Sequence, residues 1–189
     1  MKPGDYRLSQ VDTGGVAGIM KQKDFVSAVC LAVFFFSGCS QELDKGKFED
    51  VRGTAHACAV SVASGAGYEQ LKRTVEQLSG EMSVLKGKIS SDRERQLFKK
   101  YTELLAIYQD GLLLWKYKLE GSHYNFIPGG VIYVGQDVEP VVEKYRLPTE
   151  SHVYGPTQQI WKSIPEDSLQ IIWDNANSQM GIIETFTNN

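Results

Sequence analysis

Between Tyr68 and Ile89, apolar side chains recur in steps of three and four: Tyr68, Leu71, Val75, Leu78, Met82, Leu85 and Ile89. At helical pitch this spacing lays one continuous apolar seam along a helix, and such a seam has to be covered by a neighbouring helix. A strand cannot use it, because a strand sorts its side chains with a period of two. Gly80 and Gly87 fall inside the repeat and weaken the helix by about 1 kcal/mol each relative to Ala. Tertiary packing, more than propensity, is therefore predicted to hold this segment.

The flanking segments supply the cover. Upstream, Phe48, Val51, Ala55, Cys58 and Val62 repeat the same steps, and Ala55, Ala57, Ala59 and Ala63 are small enough for close helix approach. Ser64-Gly65-Ala66-Gly67 ends that helix. Downstream, Ser91-Asp92-Arg93-Glu94 has the pattern of a capping box, in which Ser and Glu satisfy each other's free backbone amides. A long helix follows, with Leu97, Tyr101, Leu104, Tyr108, Leu112, Trp115 and Leu119 on one face and Gly121 at its end. The short connection makes the two long helices an antiparallel hairpin, and the first helix completes a three-helix layer.

Past residue 121 the chain becomes aromatic and Gly-rich. Val131-Ile132-Tyr133-Val134 suits a strand, but no partner strand is evident, so an extended segment lying over the helices is expected. Val138 to Tyr145 reads as a short helix with Pro140 in its first turn. Gln158 to Ile164 reads as a short turn. Pro165-Glu166-Asp167 opens a last helix with Leu169, Ile172, Trp173 and Ala176 on its apolar face, frayed from Gly181 onward. The expected fold class is mainly all-α: a helical hairpin in a three-helix layer, an irregular aromatic-rich C-terminal segment and short terminal helices.

The first forty residues follow a different logic. Lys21 and Lys23 precede a mostly apolar twelve-residue run, Phe25 to Phe36, and Ser37-Gly38 leads into Cys39. A positive end, a short apolar middle and small residues are the three parts of an export signal. Twelve residues fall short of the roughly 20 needed to cross a bilayer. The Ser37-Gly38-Cys39 junction resembles the lipobox of bacterial lipoproteins, with Phe36 where that family usually carries Leu. The resemblance implies that Cys39 is acylated and becomes the first residue of the mature protein. A plain cleaved signal and a short anchor are the alternatives. Ser40, with no Asp after the cysteine, implies by the same resemblance an outer-membrane location facing the periplasm in a two-membrane envelope.

Met20-Lys21-Gln22-Lys23 forms a compact positive start by itself. The chain therefore divides into a leader, 1–38, of which 1–19 is read as an upstream extension and 20–38 as the signal peptide. A lipidated tether, 39–47, and a single helical domain, 48–189, follow. The mature part also resembles, loosely, other helical bacterial lipoproteins in its Gly67-Tyr68-Glu69-Gln70-Leu71 helix opening and Ile172-Trp173; that likeness carries no activity with it.

Without residues 1–38 the chain keeps 151 residues, with 16 basic and 20 acidic side chains, a net charge of −4. That length fits one domain with an ordinary core. The balance offers no clustered basic face for nucleic acid and no polybasic run for anionic lipid. Cys30 leaves with the leader and Cys39 is consumed by lipid, so Cys58 has no disulfide partner. Its place on an apolar stripe makes it a core residue, with a reactive thiol as the alternative.

Little else suggests chemistry. His56-x-Cys58 lacks the second pair that a zinc site requires, so neither metal nor cofactor is expected. No Gly-x-Ser-x-Gly elbow or phosphate loop occurs. Glu166-Asp167 suits a helix start better than a catalytic carboxylate pair. An enzyme would need His123 or His152 brought to a carboxylate in a cleft.

The aromatic residues Trp115, Tyr124, Phe126, Tyr133, Trp161 and Trp173, with Tyr145 and Tyr154 beside them, are the candidate lining of a groove for a small apolar or glycan ligand. The preferred alternative is that they glue the C-terminal segment to the helices. The expected function is that of a non-enzymatic, lipid-anchored envelope protein, bound to the bilayer through Cys39 and engaging an envelope protein partner or serving structure. A small-ligand-binding module is the second choice.

Overall fold

The computed structural model describes residues 43–124 and 127–189. The readings that concern residues 1–42, including the export signal and Cys39, and those on Phe126 lie outside the described residues. A 3₁₀ turn, Lys45–Phe48, leads into α1 (Glu49–Ala63), α2 (Tyr68–Lys86) and α3 (Asp92–Gly121). Then follow β1 (Val131–Tyr133), α4 (Glu139–Tyr145), β2 (Glu150–Tyr154), β3 (Gln159–Pro165) and α5 (Ser168–Asn188). The architecture is mainly helical, with one small antiparallel sheet.

The seam of α2 forms the core it promised: Leu71, Val75, Leu78, Met82 and Leu85 are all buried. The helix stops at Lys86, and Ile89 packs against the core from the connection. The capping box is complete. The Glu94 amide donates to Ser91 Oγ at 3.1 Å, and the Ser91 amide donates to Glu94 Oε2 at 3.2 Å. α1 lies on α2 and α2 on α3, with Val51, Ala55 and Cys58 turned inward. A polar clasp joins α1 to α2, because Glu81 Oε1 accepts from both Thr54 Oγ1, at 2.9 Å, and Gln77 Nε2, at 2.8 Å.

The expected three-helix layer gains a fourth member. α5 packs on α3 more extensively than any other pair of elements does. Ile172, Trp173, Ala176, Met180 and Ile183 continue at helical spacing and are buried, so the helix persists to Asn188 instead of fraying at Gly181. A side chain at Gly181 would meet open space, so glycine there loosens no packing. Near the end of α5, Arg93 and Lys100 lie 5.6 and 5.3 Å from the Phe186 ring centre. At the other end, Trp173 sits 6.5 Å from Tyr108 and 6.4 Å from Trp115. α5 therefore runs antiparallel to α3. At Gly111 there is no room for a side chain, because a Cβ would overlap the Trp173 indole.

The C-terminal third also departs from the expected irregular segment. Val131–Tyr133 is a strand with a partner, and residues 159–165 are a strand where a turn was expected. The sheet order is β1-β3-β2, with Ile132 opposite Ile164 and His152 opposite Trp161. Ile132 and Ile164 are buried, and β1 seats the sheet on α3. An ion pair of 2.8 Å between Lys118 and Glu166 fixes the same junction. In the β2–β3 turn, Gln158 takes the left-handed conformation (φ 59°) and its Nε2 donates to the Gly155 carbonyl at 2.7 Å. α4 is tied back to α3 by Asp110, whose carboxylate accepts from Lys144 Nζ at 2.6 Å and Tyr145 OH at 2.8 Å.

Two residues sit otherwise than expected. Leu119, expected on the buried face of α3, is exposed. Leu43, which falls in the expected tether, is buried, and Phe48 stacks on Tyr101 with ring centres 6.1 Å apart.

Candidate functional site

A polar cluster joins the 3₁₀ turn at Lys45–Phe48 to the start of α3. Lys47 Nζ reaches Glu94 Oε1 at 2.7 Å and Ser90 Oγ at 3.0 Å. The other carboxylate oxygen accepts from the Ser90 amide at 2.7 Å, Ser90 Oγ at 3.1 Å and the Ser91 amide. The Glu94 side chain is only 2% exposed. Burial by itself would raise its pKa, but the Lys47, Ser90 and Ser91 hydrogen bonds outweigh it and hold the carboxyl down to about 2. Leu43 and Phe48 enter the core on either side of this cluster. Residues 43–48 are thus bolted to the start of α3.

The sheet occupies the other end of the same helix. β1 contacts α3, Tyr117 presses against Gly135, and Ile127 lies over Gly121. From Glu94 to Tyr117 the helix rises about 35 Å. α3 therefore spans the distance between the Lys47–Glu94 junction and the sheet.

The candidate groove residues separate into two groups. Trp115 and Trp173 belong to the helical core, packed edge to face, with Tyr68 against Trp115 at 5.9 Å. Tyr124, Tyr133 and Trp161 gather around the sheet. Tyr124 and Tyr133 line a depression of about 270 Å³ together with Tyr117, Glu120 and Ile127. Tyr133 and Trp161, with ring centres 6.0 Å apart, line another of about 480 Å³ with Tyr154, Gln159 and Ile160. Tyr145 is engaged with Asp110.

The histidines fall in three settings. His56 faces Glu184 at 3.6 Å on the surface, while Cys58, two residues on, has no exposed surface. The pair therefore points apart. His123 is exposed. His152 stacks on Trp161 at 4.2 Å, and its Nε2 is 2.7 Å from Ser163 Oγ. Ser163 is fully buried, so its hydroxyl braces the sheet and is closed to a substrate. Among the described residues no group of three or more His, Cys, Asp or Glu side chains gathers to hold a metal, and no helix is long and apolar enough to cross a membrane.

Sequence reasoning missed the β2–β3 hairpin itself. It carries Val153 opposite Ile160, and these side chains are 60% and 76% exposed. β2 is an edge strand. The signal lay in the bounding Gly155-Pro156 turn and the β-branched Val153 and Ile160.

No protein-family model, no curated protein and no solved structure matches this chain.

Proposed function

We propose that this protein is a lipid-anchored component of the bacterial cell envelope, acylated at Cys39 and facing the periplasm from the outer membrane. There it acts as a non-enzymatic protein-interaction or structural domain. The observation that supports this most is the placement of Leu43 and Lys47 at one end of α3 and of the sheet at the other. Three residues separate Cys39 from Leu43, and the four steps of chain between them span at most about 14 Å. An anchored molecule would keep its α3 N-terminus beside the bilayer and carry its sheet away from it.

The sheet suits a partner. An open edge strand offers backbone groups to an added strand, and the exposed Val153–Ile160 pair gives that strand apolar contacts. The depressions around Tyr133 favour the second reading, a small-ligand site with aromatic walls.

Two measurements test the proposal. Wild-type chain should incorporate labelled palmitate and Cys39→Ser should not. A photo-crosslinker at position 153 or 160 should capture a discrete envelope protein in intact cells, whereas the same probe at position 84 on α2 should not. Equal labelling of both chains would remove the anchor, and no position-dependent adduct would remove the partner.

A further inference from the structure

α1 and α5 barely touch each other. Between them lies a cleft of about 190 Å³, the volume of about six waters in the liquid. Met180 and Ile183 of α5 give it apolar, buried lining. Arg52 and His56 of α1 and Glu184 of α5 supply its ionic and imidazole groups, and Tyr101 of α3 completes it.

Tyr101 marks this cleft as more than a surface dent. The residue is 1% exposed, and what surface it keeps opens into the cleft. Its hydroxyl makes no hydrogen bond among the described residues. Its ring is stacked on Phe48, which holds the hydroxyl where it is. Burial raises the phenol to about 12, while Arg52 pulls it down and Glu184 pushes it up. Both charges therefore act on the hydroxyl, which stays a proton donor at neutral pH. A donor so nearly buried calls for an acceptor.

The ions of the lining oppose one another without meeting. Glu184 lies 3.6 Å from His56. Arg52 makes no ion pair among the described residues, and Glu49, one turn before it, does not line the cleft. The lining thus carries one cation and one anion. A simple anion would be repelled by Glu184, and a simple cation by Arg52. An apolar guest would strip water from both ions and from the phenol and return no hydrogen bond. A small molecule that bears both charges answers each group.

We infer that this cleft binds a small α-amino acid, with its carboxylate on the Arg52 guanidinium and the Tyr101 hydroxyl, its ammonium on Glu184, and a short side chain over Met180 and Ile183. A guanidinium takes a carboxylate through two parallel N–H donors, and the phenol adds a third. The volume sets the size of the guest, since pockets for drug-sized ligands begin at about 300 Å³. Neither the Cys39 anchor nor the sheet enters this inference, so it stands or falls separately from them.

The test titrates the full chain with glycine, L-alanine and D-alanine by calorimetry. Propionate, which is alanine without its ammonium, and ethylamine, which is alanine without its carboxylate, are the single-charge probes. One or more of the amino acids should bind about tenfold tighter than either probe, or better. Tyr101→Phe keeps the ring on Phe48 and should weaken that binding about tenfold or more. Arg52→Gln should erase the advantage over ethylamine, and Glu184→Gln the advantage over propionate. Both side chains are exposed, so thermal melts of these variants should match wild type. Absence of binding by all three amino acids at about 10 mM, where a millimolar site is filled, overturns the inference. So does binding that propionate or ethylamine equals, or that Tyr101→Phe leaves intact.

Discussion

Lys47 and Glu94 meet at 2.7 Å across 47 residues of sequence, joining the first turn of the described chain to the capping box of α3. The carboxylate of Glu94 thereby serves two structures at once. It closes a helix N-terminus, and it holds the 3₁₀ turn at Lys45–Phe48.

That double role gives Glu94 a signature in acid. Its carboxyl is held down to about 2 from an ordinary 4.5. A depressed pKa stabilises the fold above the unfolded-state value, and the contribution disappears as pH falls from about 4.5 to about 2. Glu94→Gln should lower stability by about 2–3 kcal/mol at pH 7. The gap from wild type should close in urea titrations as pH is lowered through that window. A gap independent of pH would mean the charge contributes nothing.

Gly111 and Trp173 give a packing test. Helix propensity alone favours Gly→Ala by about 1 kcal/mol. Here the added methyl would overlap the indole, so Gly111→Ala should instead destabilise by about 1–3 kcal/mol. In a Trp173→Leu background the same change should turn neutral or stabilising, a coupling visible in a double-mutant cycle.

The α2 seam should behave as interior. Leu78 has no exposed surface, and Leu78→Ala should cost about 2–5 kcal/mol in denaturant melts. A near-neutral result would mean that the seam is not packed in solution.

Cys58 should be inert. Burial, with a smaller push from Glu81, raises its thiol to about 12, so almost none of it is thiolate at neutral pH. Alkylation mapped to Cys58 should be slower in the native protein than in urea by roughly a hundredfold or more. Comparable rates would place the thiol at the surface.

The helices were legible because their signals are local. Steps of three and four residues mark α1, α2 and α3, and Ser91 with Glu94 marks a start within four residues. The sheet was hidden for the opposite reason. β1 pairs with β3 across thirty residues or more, and β3 is buried only at Ser163 and Ile164 while Ile160 stands in solvent, so no two-residue alternation appears. Gly181 suggested an end to α5, but Met180 and Ile183 supply contacts on α3 that outweigh one weak helix former. The aromatic group was visible only as composition; nothing in the residue order separates core Trp173 from Tyr133 at the sheet. Lys47 and Glu94 were each readable in the sequence, yet their junction needed the fold.

The most direct measurement is the intact mass of the chain recovered from the membrane fraction of cells expressing the full sequence. The expected result is a molecule that begins at Cys39 and carries fatty acyl chains, with no peptide from residues 1–38. A membrane-bound chain that begins at Met1 or Met20, or one whose Cys39 is unmodified, would contradict it.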